Sequence, residues 1–168
     1  VGSEMCIRDS PGGALAQRRN VEQARVRGLE SRLEWRVSSR WDCTLRYLFS
    51  RARFTSSPEQ PLLEGNSFPQ SPEHRVIAGI AGDPMERLRL FAEIEFGSSQ
   101  YEDVLGERRL GSWWTARLGG EVEVAERMTV QVRIENIFVE EVATVFSSSG
   151  LLSIGLPRSA LINVNYRF

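Results

Sequence analysis

The sequence has no lysine: all 21 of its basic residues are arginine, set against 22 acidic residues. The net charge of −1 leaves no basic surplus to argue for a nucleic acid partner. Cysteine occurs twice, as Cys6 and Cys43, and histidine once, as His74. Two thiols build no disulfide framework, and a lone imidazole builds no metal site. No apolar run approaches the roughly 20 residues of a membrane helix. No nucleophile, base and orienting group are spaced as a catalytic set, so neither a catalytic residue nor a cofactor nor a bound metal is expected. The Ser147-Ser148-Ser149-Gly150 run reads as loop, and Gly119-Gly120 as a bend or bulge.

What is present is alternation. Side chains in a strand point to opposite faces with period two. Residues 160–168 place Ala160, Ile162, Val164, Tyr166 and Phe168 on one face, and Leu161, Asn163, Asn165 and Arg167 on the other. The same sorting recurs over 26–37, 41–51, 74–82, 87–96, 114–124 and 128–135. A helical period mixes charge with apolar residues, as at Leu88, Arg89, Ala92 and Glu95, whereas period two separates them. The pattern predicts an all-β fold: an antiparallel up-and-down meander of about seven long strands. Most are near the 9–11 residues that a tilted membrane strand requires.

The connections alternate in length. Residues 38–40, 82–86 and 125–127 are short links, whereas 55–73, 98–110 and 139–156 are long and rich in Pro, Gly, Ser and Asn. Short turns at one rim and long loops at the other characterise outer-membrane barrels. Alternation alone does not separate such a wall from a soluble sandwich. Three details favour the membrane. The polar face carries charges of both signs in mid-strand: Arg32, Arg46, Glu93, Glu95, Arg117, Glu121 and Arg133, read as lumen charges. Aromatics gather near strand ends, with Trp35, Trp41, Trp113 and Trp114 read as interfacial. Small residues such as Ala78, Ala92 and Ala116 on the apolar face suit lipid contact better than jigsaw packing.

Residues 1–10 lack the basic and apolar regions of a signal peptide and resemble the translated read-through of a sequencing adapter. Residues 1–19 are therefore expected to be a non-native or disordered leader, and 20–168 a segment of transmembrane barrel.

Four stretches resemble TonB-dependent outer-membrane receptors. Asn20 to Glu30 resembles the strand that carries Arg-x-x-Gly-hydrophobic-Glu, with Arg25 as its arginine. Ser71-Pro72-Glu73-His74-Arg75 resembles the Pro-x-His-Arg that follows an extracellular loop. Glu135-Asn136-Ile137-Phe138 resembles the close of the penultimate strand, and Gly155-Leu156-Pro157-Arg158 with Tyr166-Arg167-Phe168 the final one. Val139-Glu140-Glu141-Val142 departs from the aromatic usual at that point.

The resemblance implies part of a barrel of about 22 strands with a plugged lumen, located in the bacterial outer membrane. It implies active uptake of a ferric siderophore, cobalamin or similar bulky ligand. The implied partners are outer-membrane lipid, the barrel-assembly machinery, the missing N-terminal strands and plug domain, and TonB through that missing part. Tyr166 and Phe168 are implied as the assembly signal. Ligand contact is expected in loops 55–73 and 139–156. Two other readings stand beside this one: a complete small structural or adhesion barrel of the outer membrane, and a soluble lipocalin-like carrier.

Overall fold

The computed structural model describes residues 5–9, 16–20, 23–146 and 151–168. In chain order the strands are β1 (Met5–Asp9), β2 (Ala16–Asn20), β3 (Gln23–Ser38), β4 (Trp41–Ser56), β5 (His74–Met85), β6 (Leu88–Gly97) and β7 (Gln100–Tyr101). They continue as β8 (Arg109–Leu110), β9 (Trp113–Ala125), β10 (Met128–Glu135), β11 (Ala143–Phe146), β12 (Leu152–Ile154) and β13 (Ser159–Tyr166). One turn of 3-10 helix, Pro61–Leu63, lies between β4 and β5.

Seven strands form a single antiparallel sheet in the order β13-β10-β9-β6-β5-β4-β3. Each pairs with the next long strand along the chain, so the sheet is an up-and-down meander. It is not closed; β3 and β13 are its edges. All seven strands read from the period-two pattern are present, and most run a few residues further than the alternation suggested. β3 and β4 reach 16 residues each. β13 ends at Tyr166, although the Arg167 amide still donates to the Arg127 carbonyl at 2.9 Å. β1 and β2 pair with each other in a separate two-stranded sheet.

The register stacks like upon like. Trp35, Cys43 and Ile80 stand side by side; so do Leu33, Leu45, Ala78, Ile94 and Ala116. Ala92, Leu118 and Ile134 make another row, and Val122, Val130 and Val164 a further one. One face is thus a continuous apolar band. Its large side chains are left uncovered: Leu33, Trp35, Ile94, Leu118 and Ile162 are all exposed. The buried apolar side chains among the described residues are Phe54, Leu63, Leu110 and Ala116. Three of these four belong to one rim, not to the body of the sheet.

The short turns are tight and mutually braced. Arg87 takes a left-handed φ of 65° in the β5–β6 turn, where only Glu86 and Arg87 separate the strands. Pro84 sits where the β5–β6 register shifts between Gly82 and Met85, a place that tolerates its missing N–H. The Asp83 amide donates to the Arg40 carbonyl at 2.9 Å, and Arg40 Nη1 donates to the Pro84 carbonyl at 2.7 Å. Adjacent turns at this rim are therefore linked.

Candidate functional site: a charged wall under a folded loop rim

The face opposite the apolar band carries an ion-pair lattice. Glu93 on β6 is its hub. Its carboxylate pairs with Arg117 on β9, and its other oxygen lies 3.6 Å from Arg46 Nη2 on β4. Reaching Glu93 from β4 means crossing β5, and the residue between is Gly79. A methyl on Gly79 would lie 3.1 Å from Thr44 Oγ1, so the missing side chain leaves the crossing open. Arg75 Nε donates to Glu95 Oε1 at 2.6 Å, and Arg32 pairs with Glu34 along β3. Arg32 and Arg46 face each other across β3–β4, and each is answered by its own carboxylate, Glu34 and Glu93. Arg133 Nε lies 2.9 Å from Glu135 Oε1, without hydrogen-bond alignment. Glu121 lies between Arg89 and Gln131 in register. A cavity of about 30 Å³ opens among Glu93, Glu95, Thr115, Arg117 and Glu135. All seven charges read as lumen residues share this face.

The four tryptophans divide. Trp35 and Trp41 lie on the apolar face near the short-turn rim; the Trp41 indole covers Gly82, where a methyl would come within 2.5 Å of the ring. Trp114 lies on the apolar face near the long-loop rim, 4.8 Å from the Phe138 ring. Trp113 is on the charged face, its indole over Gly97, where a methyl would come within 2.6 Å. Tyr166 and Phe168 make an edge-to-face pair at 5.2 Å and are both exposed. Tyr47 Oη and His74 Nδ1 are 2.9 Å apart on the apolar face, with Phe49 beside them. Cys43 is a free thiol in the apolar band between Trp35 and Ile80.

The long connections are folded, which the sequence reading missed. It treated 98–110 and 139–156 as plain loops; each carries a small hairpin, β7–β8 and β11–β12. Strands of two to four residues are too short to show a period. The connection after β4 packs into a cap with the one after β6. Phe54 stacks on Phe68 at 4.3 Å, and Leu63 and Leu110 are buried with only about 2% exposure. Asn66 Nδ2 reaches the carbonyls of Val104 and Leu105 at 3.2 and 3.0 Å, and the Gln70 amide donates to the Tyr101 carbonyl at 2.7 Å. The signal available in sequence was apolar residues, Phe54, Leu63, Phe68 and Leu110, inside otherwise polar stretches.

Asn136 anchors the third connection. It is buried at a left-handed φ of 50°. Its Nδ2 donates to the carbonyls of Glu140 and Leu156 at 2.8 and 3.2 Å, while its Oδ1 accepts from the Glu140 amide at 2.9 Å. Asparagine tolerates that backbone region and supplies the bonds that close the loop base.

Asp103 organises the β7–β8 hairpin. Its Oδ1 accepts the Arg108 amide at 2.7 Å, and Oδ2 accepts those of Leu105 and Glu107, each at 3.2 Å. Partial burial pushes its carboxyl up, but these backbone donors outweigh it and hold the group below its ordinary 3.8. A carboxyl depressed on folding adds stability that is complete above its unfolded value and lost as pH falls through the folded one. The 102–108 turn is expected to loosen only below about pH 3.8. Hydrogen exchange at the Glu107 and Arg108 amides, compared between pH 3 and pH 6, checks this; Asp103→Asn should flatten the difference.

The family model TonB dependent receptor-like, beta-barrel matches residues 6–137. The chain belongs to that family. Its fold is that of solved outer-membrane receptors. The ferric yersiniabactin uptake receptor FyuA from Yersinia pestis matches with a TM-score of 0.76 at 21% identity, over 90% of this chain and 25% of that one. The siderophore receptor PiuA from Acinetobacter baumannii matches at 0.76 and 18%, over 98% and 24%. The copper transporter OprC matches at 0.77 and 14%, over 96% and 26%. The chain therefore spans about a quarter of the length of these proteins and forms a partial barrel of the bacterial outer membrane. Membership decides against the soluble carrier.

Proposed function

We propose that this chain is wall and loops of an active-uptake receptor for a scarce, bulky ligand such as a ferric siderophore or cobalamin. The apolar band faces lipid, and the charged face lines the lumen. The cap built on Phe54, Leu63 and Leu110, with the β11–β12 hairpin, forms the outer mouth. The observation that carries the reading is the register itself. It sorts a nine-residue apolar belt, as from Leu29 to Val37, from an ion-paired face on the same strands. A membrane barrel with a watery interior needs both.

The wall performs no bond chemistry. Arg32, Arg46, Glu93, Glu95, Arg117, Glu121 and Arg133 set the field along the ligand route. TonB engages the receptor through parts outside this chain, namely the plug and the N-terminal strands. Tyr166 and Phe168 are the points read by the barrel-assembly machinery.

The test uses the full-length receptor that carries this segment, expressed in a host lacking its own receptors for the ligand tried. Ferric siderophores and cobalamin are the probes. Uptake should appear for one of them and vanish without TonB or with the proton-motive force collapsed. Uptake that persists without TonB would overturn the reading, as would a receptor that reaches the outer membrane and takes up none of them.

A further inference from the structure

β3 and β4 carry charge where the pattern predicts apolar residues. On the lipid-facing parity β3 reads Leu33, Ser31, Leu29 and then Arg27 and Arg25; β4 reads Leu45, Tyr47, Phe49 and then Arg51 and Arg53. The register sets Arg27 opposite Arg51 and Arg25 opposite Arg53. Like charges directly opposite one another destabilise a sheet. Here two such pairs follow within about 7 Å of strand.

On the charged face Arg46, Arg75 and Arg117 are each answered by a carboxylate. On the outer face only Arg51 is: Glu73 binds it through two bonds, of 3.0 and 3.2 Å. Among the described residues, Arg25, Arg27 and Arg53 have no carboxylate at ion-pair distance. All four guanidinium-bearing residues are exposed.

The height of this quartet is fixed by its neighbour. The Arg51 guanidinium lies over the Phe49 ring at 5.9 Å, and Phe49 is the last apolar side chain of the belt on β4. The quartet thus begins where hydrocarbon ends, at the level of lipid head groups, on the long-loop side.

We propose that Arg25, Arg27, Arg51 and Arg53 form a binding site on the outside of the wall for the phosphate groups of a phosphorylated glycolipid in the outer leaflet. Guanidinium forks take phosphate bidentately, and a phosphate between the strands relieves both repulsive pairs at once. The lipid's acyl chains would lie along Leu29, Leu33 and Phe49 below. A ligand travelling through the lumen does not reach this face. The inference rests on the outward assignment of the apolar band and not on the identity of the transported ligand.

The full-length receptor carrying this segment is purified in detergent and titrated with diphosphorylated lipid A, with the same lipid dephosphorylated, and with inorganic phosphate. The diphosphorylated lipid should bind at least tenfold more tightly than the dephosphorylated one. Arg27→Gln with Arg51→Gln should remove that preference. Glu73→Gln, which strips the quartet of its one carboxylate, should strengthen binding several-fold. Equal affinity for both lipids overturns the proposal, as does an unchanged preference in the double variant. Inorganic phosphate competing at micromolar concentration would show a free-anion site in place of a lipid site, and would overturn it too. Because Glu73→Gln predicts a gain, a double variant that fails to assemble does not shield the proposal. Ligand uptake, measured on the same variants, should be unaffected; an unmodified receptor that binds the lipid but takes up no ligand would count against the transport reading alone.

Discussion

Leu118→Arg is expected to cost the full-length receptor about 2–4 kcal/mol, the range for arginine at the bilayer midplane on a lipid-facing strand. Leu118 is the middle residue of the β9 belt that runs from Trp114 to Val122, flanked in register by Ala92 and Ile134. It is 48% exposed, with its outer half open. An arginine there must either sit in hydrocarbon or drag water and head groups toward itself. Urea titration of the receptor in lipid vesicles measures the cost. Two controls give the number meaning. Gln131→Arg, on the charged face beside Glu121, should cost less than about 1 kcal/mol, as a solvated surface change does. Leu118→Trp should be tolerated, because lipid yields to a larger ring whereas a packed core loses 1–3 kcal/mol on overfilling. A large loss for Leu118→Trp would mean that protein, not lipid, meets this face.

The second large effect is at the rim. Phe54→Ala removes a side chain that is only 1% exposed and stacked on Phe68. Large aromatic truncations of this kind cost about 3–5 kcal/mol. The loss should fall on the cap and leave the sheet standing, because the long strands are held by their own ladders and Phe54 belongs to the loop core. Hydrogen exchange should speed up about a hundredfold or more at the Gly65 and Phe68 amides, which donate to the Phe54 and Ala52 carbonyls. The Gln70 amide, donating to Tyr101, should follow, since the two connections share one core. Unchanged protection at Gln70 would show that the connections are independent of each other. A coincident loss of protection along β5 and β6 would show that the cap and the wall fold as one unit.

The two halves of the molecule were unequally legible in sequence. The seven long strands were readable because each keeps period two over eight or more residues, and because Glu93, Arg117 and Arg133 fall on one parity while Ile94, Leu118 and Val132 fall on the other. The direction of Trp113 was readable, since adjacent residues of a strand face opposite ways, but grouping the four tryptophans as one interfacial set hid it. The hairpins β7–β8 and β11–β12 were invisible because strands of two to four residues are too short to show a period. The cap depends on Asn66 meeting Val104 and Leu105, 38 and 39 positions away, a contact that no local pattern encodes. Asn136 lies between these cases. Its motif was recognisable, but its work, a left-handed turn that fastens both ends of the last loop, emerges only from the three bonds of its amide. Glu93 as hub likewise needed Gly79, whose lack of a side chain becomes meaningful only once β4, β5 and β6 stand in register.

The unusual reach of β3 and β4 has a consequence for whatever arrives from outside the cell. The belt uses about nine of their sixteen residues. In the proposed orientation Phe54 stands five residues beyond Phe49, the last of the belt, so at about 3.3 Å each and inclined these lift the base of the Phe54–Leu63–Leu110 cap roughly 12 Å clear of the hydrocarbon. An antibody, a phage tail fibre or a nutrient complex therefore first touches a rigid parapet, and its shape, more than that of the bilayer around it, decides which visitors come close.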